Sequence, residues 1–187
     1  MRNFNNSTKF FTAFISTIVI IVMWVTSVNA QAQLTERSKL AIDGIGPIRV
    51  GMTVDEASRS LGARLVKSST LNRLYCAYFE AEGGPKGINF MVVKDRIATV
   101  DISNKRVTTI KGAKIGDSEE RIFALYPDQI QATKSARLPK ENGSLIFVPK
   151  DAADKDYRLI FEIRNHRVSD FRSGKLSEVV HIENCEC

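Results

Sequence analysis

The sequence predicts an α+β protein with two tandem β-α-β4-like repeats, in which antiparallel strands form one or more sheets and each repeat has one short helix. Three observations predict this fold. The 187 residues are 43% hydrophobic and 26% charged, a composition typical of one globular domain or two very small ones. A short phrase occurs twice along the chain, and several runs alternate apolar with polar residues, which is the period of half-buried strands.

The first thirty residues have the pattern of a secretory signal. Arg2 and Lys9 supply the positive charge, residues 10–25 form an apolar run, and residues 28–30 (VNA) are a small-x-small cleavage site. The alternative is a permanent anchor, because the apolar run approaches the roughly 20 residues that span a bilayer. The residue directly after the cleavage site is Gln31 and not a cysteine, which disfavours a lipoprotein. We expect a periplasmic or secreted protein that contacts the membrane only through an uncleaved signal.

Charge and composition disfavour several classes of function. The net charge is +6, but no run of five or more like charges occurs, so nucleic-acid binding is not expected. The chain has two histidines and one tryptophan, which disfavours His-rich metal sites and aromatic-lined channels. We expect no cofactor.

The three cysteines, Cys76, Cys185 and Cys187, all follow the signal, and export to an oxidising compartment favours a disulfide. Cys185 and Cys187 are two positions apart in an extended segment, about 6.5–7 Å, which is at the edge of disulfide geometry. A bridge from Cys76 to one of them is easier. The alternative is a soft-metal site formed by His181, Cys185 and Cys187, although the sequence offers no evident fourth ligand.

The internal repeat is the most informative feature of the sequence. Residues 47–56 (PIRVGMTVDE) align with residues 112–121 (GAKIGDSEER) at an offset of 65. Each copy has a short apolar-basic-apolar strand, a glycine and a helix start. Residues 90–97 (FMVVKDRI) align with residues 161–168 (FEIRNHRV) at an offset of 71. The predicted boundaries are a linker at 31–43, a first repeat at 44–105, and a second repeat with a C-terminal strand at 106–187.

Capping residues predict where both helices begin and end. Thr53 and Glu56 form a capping box, and in the second copy either Asp117, together with Glu120, or Ser118 is the cap. The predicted apolar faces are Val54, Ala57 and Leu61 in the first helix and Ile122, Phe123 and Tyr126 in the second. Gly62 ends the first helix and Pro127 stops the second.

Alternation and turn residues predict the strands. Lys94-Asp95 and Asn165-His166 are two-residue hairpin turns, because Asp and Asn tolerate the positive φ that such turns need. The predicted strands flanking or preceding these turns are 64–67, 74–80, 88–93, 97–102, 129–133, 144–148, 159–164 and 168–172, with Val179, Val180 and Ile182 in a final strand.

A resemblance supports the same plan. Residues 51–56 (GMTVDE), with Leu61-Gly62 closing the helix, resemble the G-M-T-x-x-E…L-G signature of small exported bacterial proteins. That group includes the tandem-repeat β-lactamase inhibitory proteins and the SmpA/OmlA-type lipoprotein of outer-membrane assembly. The second copy departs from the signature at Asp117 and Pro127. The resemblance implies an exported helix-plus-antiparallel-sheet fold.

A longer resemblance covers nearly the whole mature chain. The opening 44–47 (GIGP), the middle segments 76–78 (CAY) and 90–92 (FMV), and the ending 183–185 (ENC) are similar to uncharacterised secreted bacterial proteins. This resemblance implies no activity. It favours a disulfide between Cys76 and Cys185, which leaves Cys187 near the terminus.

No catalytic motif occurs in the sequence. A G-x-S-x-G elbow and an H-E-x-x-H helix are both absent, and His166 is predicted to be an exposed turn residue with no neighbour in sequence that orients it. Cations and aromatics do cluster around the second hairpin, and such pairs are typical of binding hot spots. The candidate binding face is Arg158, Arg164 and Arg172 with Tyr157 and Phe171.

These observations favour an exported, non-enzymatic binding or inhibitory module of the bacterial cell envelope. The expected partner is another protein or an envelope component. The alternative is a structural or assembly factor of the envelope. An enzyme is the least favoured class, because no nucleophile–base pair or metal constellation emerges from the sequence.

Overall fold

In this computed structural model the described residues are 33–68, 76–133 and 142–179. A short 3-10 turn spans Ala152–Asp154, and the helices are α1 (Val54–Leu61), α2 (Glu119–Leu125) and α3 (Leu176–Val179). The strands are β1 (Lys39–Ala41), β2 (Gly44–Ile45), β3 (Ile48–Arg49), β4 (Leu65–Lys67), β5 (Cys76–Ala81), β6 (Ile88–Val93), β7 (Arg96–Ile102), β8 (Thr108–Thr109), β9 (Ile130–Thr133), β10 (Gly143–Phe147), β11 (Tyr157–Arg164) and β12 (Arg167–Lys175).

Eight strands form one antiparallel sheet in the order β4-β5-β6-β7-β12-β11-β10-β9. A smaller sheet has the order β3-β2-β1-β8, in which β1 and β8 run parallel. The predicted α+β class, with antiparallel sheets and short helices, is confirmed. Among the described residues, four strands of the large sheet follow α1 (β4 to β7) and four follow α2 (β9 to β12). The last strand of each set lies at the centre of this sheet, where β7 pairs with β12.

The core lies between the large sheet and the two helices α1 and α2. Phe90, Phe161 and Phe171 are fully buried in it, together with Ala57 of α1 and Ile122 of α2. These aromatic side chains remove large apolar areas from water, which is the main favourable contribution to folding. The sheet therefore has one face covered by α1 and α2.

Aromatic contacts connect α2 to the sheet. The ring of Tyr126 lies 5.7 Å from that of Phe161 and 5.0 Å from that of Phe147, between ring centroids. Its hydroxyl donates to Thr109 Oγ1 at 2.8 Å, which extends the contact to the small sheet. A buried tyrosine needs such an acceptor for its O–H, because an unpaired buried hydroxyl is costly.

The predicted caps of α1 are confirmed. Thr53 Oγ1 accepts from the backbone N–H of Glu56, and the Glu56 carboxylate accepts from the backbone N–H of Thr53. The backbone hydrogen bond from Thr53 is the largest cause of a lowered pKa for Glu56. Gly62 ends the helix with φ of 66°, a left-handed conformation that glycine adopts without a steric penalty.

The cap of α2 is Ser118, the second of the two candidates. Its hydroxyl accepts from the backbone N–H of Arg121. Asp117 instead accepts from the backbone N–H of Lys114 at 3.0 Å and pairs with Arg121 at 3.4 Å. The helix ends at Leu125, just before the predicted stop at Pro127.

Both predicted hairpin turns are confirmed. Lys94 and Asp95 connect β6 to β7 with φ of 48° and 63°, and Asn165 and His166 connect β11 to β12 with φ of 51° and 59°. Two consecutive residues with positive φ match the right-handed twist of the flanking strands. The strands predicted at 64–67, 74–80, 129–133 and 144–148 are also present, with ends that differ by at most two residues.

Three predictions need correction. Residues 33–43 are not a linker, because β1 lies there and Leu34 and Leu40 are buried in the core. Phe123 is 44% exposed, since it lies one residue beyond Ile122 on the helix and points away from the sheet. Val179 does not belong to a final strand, because it ends the helical turn α3.

Several predictions fall outside the described residues. They concern the signal at 1–30, the side chain of Cys76, and the C-terminal residues Val180, His181, Ile182, Cys185 and Cys187. The Cys76–Cys185 disulfide and the alternative metal site therefore stay predictions. The backbone of Cys76 begins β5, opposite Val93 of β6.

Ser173 on β12 provides a test of the core. Its hydroxyl is buried without a hydrogen-bond partner in the described part of the chain. We expect Ser173→Ala to raise the free energy of unfolding by about 1 kcal/mol, because the substitution removes a desolvated hydroxyl. Urea unfolding measures the change. Phe171→Ala on the same strand is the control, and its free energy of unfolding is expected to fall by about 3–5 kcal/mol. A fall of about 1 kcal/mol or more for Ser173→Ala contradicts the expectation.

Candidate functional site

The candidate site lies on the outer face, which we define as the face of the large sheet that points away from α1 and α2. Side chains alternate between the two faces along each strand. The strand register places the outer-face residues in rows that run across the strands: Asn89–Asp101–Arg172–Ile160, Met91–Thr99–Gly174–Arg158 and Asp170–Glu162–Ser144. The centre of this face is therefore unusually rich in charge for a sheet interior.

The structure separates the five residues of the predicted binding face. Arg158, Arg164 and Arg172 share the outer face, as the prediction requires. Phe171 does not, because it alternates with Arg172 and is 0% exposed in the core. Tyr157 alternates with Arg158 in the same way and pairs with Lys175. The prediction of an arginine–aromatic face is thus wrong for Phe171, since residues one apart on a strand point in opposite directions.

Arg172 is the most constrained arginine of the outer face. Its Nη2 lies 2.8 Å from Glu162 Oε1, and its Nε donates to the backbone carbonyl of Val179 at 3.1 Å. Ser144 donates to the second oxygen of Glu162 at 2.8 Å. Because the Arg172 side chain is only 17% exposed, these charge-assisted contacts are partly shielded from water.

The other two arginines of this face, Arg158 and Arg164, differ in whether their side chains have hydrogen-bond partners. Arg158 donates from Nη1 to the carbonyls of Lys155 and Tyr157, at 2.8 and 2.6 Å, and so fixes the chain before β11. Arg164 is exposed, and its guanidinium has no hydrogen-bond or ion-pair partner in the described ranges. Arg164 is therefore the arginine of this face that is available to a ligand.

Asp101 lies opposite Arg172 at the centre of the sheet. Its Oδ2 accepts a hydrogen bond of 2.6 Å from Thr99 Oγ1. Burial raises the pKa of the Asp101 carboxyl from 3.8 to about 6, and the nearby charge of Asp170 adds to the increase. The Thr99 hydrogen bond and the charge of Arg172 act in the opposite direction.

A pocket of about 310 Å³ opens beside Asp101. Its polar lining is Asn89, Asp101, Ser103, Arg164, Ser169 and Asp170. Ser169 donates to Asp170 Oδ2 at 2.7 Å, so this carboxylate, like that of Asp101, has one oxygen held by a hydroxyl group. The pocket therefore offers carboxylate acceptors together with guanidinium and amide donors to a polar ligand.

His166 has a partner that the sequence did not reveal. Its Nδ1 lies 3.0 Å from Glu119 Oε1 at the start of α2. The imidazole is 68% exposed at the turn, as predicted. A carboxylate–imidazole contact alone supplies no nucleophile, so this pair orients the turn against α2 without defining a reaction.

Sequence reasoning missed Asp101 and Asp170. A weak signal was present, because residues 96–102 (RIATVDI) carry polar Thr99 and Asp101 at alternate positions of an otherwise apolar strand. Within the described ranges, no group of three or more His, Cys, Asp and Glu side chains is arranged to hold a metal ion.

Comparisons with known proteins assign no family. No protein-family model matches the chain, and no curated protein matches it significantly. Two crystal structures are distantly similar. One is an extracellular protein containing a SCP domain from Bacillus anthracis str. Ames, with a TM-score of 0.42 and 11% identity. The similarity covers 72% of this chain and 46% of that protein's chain. The uncharacterized protein yfeY from Escherichia coli has a TM-score of 0.42 and 14% identity, over 76% of this chain and 99% of that one.

At this level of similarity, neither structure assigns a function. Among the described residues, no helix has the length and apolar character needed to cross a membrane.

Asp101 makes the stability of the fold depend on pH in an unusual direction. Between pH 3.8 and about 6, the folded protein holds a proton on Asp101 that the unfolded chain releases. The free energy of unfolding therefore falls as pH rises through this window, by up to about 3 kcal/mol. Asp101→Asn removes this contribution, so the variant is expected to be more stable than the wild type at about pH 7.5 and to lose less stability between about pH 5 and 7.5.

Urea unfolding at both pH values measures the effect. Asp55→Asn, which changes an exposed carboxylate on α1, is the matched control and should follow the wild type. Parallel stability curves for the wild type and Asp101→Asn contradict the prediction.

Proposed function

We propose that this protein is an exported, non-enzymatic binding module of the bacterial cell envelope, and that it binds another protein or an envelope component through the outer face. The observation that carries the proposal is the charged centre of that face. Asp101, Asp170 and Arg164 line an open pocket there, whereas the opposite face is covered by α1 and α2. Charged groups at the middle of a sheet cost stability, and binding gives a reason for retaining them.

A binding role also agrees with how these groups are held. Glu162 and the carbonyl of Val179 fix Arg172, and Thr99 fixes one oxygen of Asp101. Such mutual pairing keeps a recognition surface in one conformation, which lowers the entropic cost of binding.

We also propose that the two halves of the fold are tandem copies of one β-α-β4-like unit. Backbone contacts recur at equivalent positions: Gly51 donates to the carbonyl of Ile97 at 2.7 Å, and Gly116 donates to that of Val168 at 2.8 Å. The side chains of Arg96 and Arg167 donate to the carbonyls of these same two glycines, at 2.7 and 2.8 Å.

Strand irregularities support the same proposal. The pairing of β6 with β7 is interrupted at Ala98, and the pairing of β11 with β12 is interrupted at Ser169, which lies 71 positions later. A β-bulge is a specific local feature, and its recurrence at matching positions favours duplication over coincidence.

The export proposal rests on the N-terminal sequence and on the cysteines. We expect the mature chain to begin at Gln31, directly after the cleavage site. We also expect it to contain a Cys76–Cys185 disulfide, because the compartment to which it is exported is oxidising. Mass mapping of the exported protein without reduction measures both. A tryptic peptide pair joined through Cys187, or three free thiols, contradicts the pairing, and an uncleaved N-terminus supports the anchor.

Affinity capture tests the binding proposal. Immobilised mature protein is incubated with envelope extract, and Arg164→Ala is compared with the wild type. Because Arg164 is unpaired in the described structure, its loss should not unfold the protein, but we expect capture of the partner to fall about five- to tenfold. Lys111→Ala, another exposed cation remote in sequence, is the matched control.

The outcome of capture distinguishes the two candidate functions. One soluble protein or envelope component that depends on Arg164 supports a binding or inhibitory module. A co-purifying membrane complex supports the assembly factor. Capture that is equal for the wild type and Arg164→Ala contradicts a role for this face.

A further inference from the structure

The outer face has two positions that the 71-residue offset relates to each other, which we call seats. The helical turn α3 lies on the first, and no described segment covers the second. We propose that the open seat, the pocket beside Asp101, binds a basic peptide segment of a partner protein. This inference rests on the proposed function and specifies the chemistry of its partner. It depends on the internal symmetry of the sheet, on the position of α3, and on the change of charge between the two seats.

The pairing of β7 with β12 defines the symmetry. Asp101 lies opposite Arg172, and these residues are also 71 positions apart, so they occupy equivalent places in the two halves. A pseudo-twofold axis therefore passes between them. The same offset relates Asn89 to Ile160, Ala98 to Ser169, Thr99 to Asp170 and Ser103 to Gly174.

One seat is occupied by α3. This helical turn folds back after β12 and contacts β7, β11 and β12. Val179 is 0% exposed there, and its backbone carbonyl accepts from Arg172 Nε. Gly174 has no side chain on this face, and an added Cβ there would lie 2.4 Å from the carbonyl oxygen of Ala98 on β7. This half of the outer face thus accommodates a short peptide turn through main-chain and apolar contacts.

The pocket occupies the symmetry-related position. Its lining residues Asn89, Asp101, Ser103 and Asp170 correspond, by the same offset, to Ile160, Arg172, Gly174 and Thr99. Of these counterparts, Arg172 donates to the Val179 carbonyl of α3. The peptide turn that covers the first seat belongs to this chain, whereas the pocket is lined by described residues of which none covers its mouth. A short segment of similar size is therefore the occupant that the geometry suits.

The first seat has a cation, Arg172, where the second has an acid, Asp101, and this difference indicates which kind of peptide segment the second seat binds. Where Arg172 donates to a carbonyl in the first seat, Asp101 offers an acceptor in the second. Asp170 adds a second carboxylate, and each carboxylate uses only one oxygen for its hydroxyl partner. A lysine or arginine side chain satisfies these acceptors, and Arg164 and Asn89 are placed to donate to carbonyl oxygens of the same segment.

The electrostatic surroundings of Asp101 favour a cationic ligand. An ionised carboxylate that is desolvated and close to a second carboxylate is stabilised when a cation enters. Asn89 and Arg172 lie opposite Asp101 on the two paired strands, and Thr99 lies on its own strand. The other polar groups that line the pocket with Asp101 are Ser103, Arg164, Ser169 and Asp170. Arg172 is already engaged by Glu162 and Val179, so it does not fully neutralise Asp101 and Asp170.

The test uses defined peptides and the full mature protein. Acetyl-Lys-Lys-Lys-amide is titrated into labelled protein, and amide chemical shifts report the site and the affinity. We expect shifts centred on residues 101–103 and 169–170, and no comparable shifts with acetyl-Glu-Glu-Glu-amide. Binding should weaken at about pH 5, where Asp101 is protonated, and at high salt.

Two variants and one control locate the binding energy. Asp101→Asn and Asp170→Asn are each expected to weaken binding of the lysine peptide about five- to tenfold. Asp55→Asn on α1, which makes the same chemical change away from the pocket, should bind as the wild type does. Unchanged affinity in both pocket variants, shifts outside the pocket, or equal binding of the acidic peptide overturns the proposal.

The result is separable from that of the proposed function. If the lysine peptide does not bind but capture of the envelope partner still depends on Arg164, the outer face binds a different chemistry and only this inference fails. If capture is insensitive to Arg164 as well, the proposed function fails independently.

Discussion

The pairing of β7 with β12 joins two sets of four strands into one sheet. It consists of four residue pairs, from Thr99–Gly174 to Ile102–Phe171. On the inner side, this junction brings Ile102 and Phe171 together in the core beneath α1 and α2. Joining the sets enlarges the core, because the share of surface buried on folding rises with the size of the folded unit. The core, the position of both helices and the outer face all depend on this central pairing.

The same junction creates the chemical asymmetry of the protein. Equivalent places on either side of the centre carry Asp101 and Arg172. Arg172 is satisfied within the chain by Glu162 and the carbonyl of Val179, whereas Asp101 keeps a raised pKa beside an open pocket. In the proposed duplication, α3 covers one half of the outer face and the other half is left for a ligand.

The predictions of helix caps and hairpin turns were accurate because these features depend on interactions between residues close in sequence. The capping box at Thr53, the helix stop at Gly62 and the turn at Asn165 were each predictable, since capping and positive φ depend on a few neighbouring residues. The candidate binding face was only partly predictable. Its arginines were found, but Phe171 was misplaced, and Asp101 and Asp170 were not recognised because their proximity arises from strands far apart in sequence.

The sequence by itself determined the class of fold, the order of the elements after each helix, and the turns that connect them. Only the tertiary structure decided that the two strand sets share one sheet, that β1 lies in the folded body, and that Asp101 faces Arg172. The physical reason is that strand propensity and alternation specify a strand and its two faces, whereas the choice of neighbouring strand depends on long-range burial. The candidate site is a product of that choice.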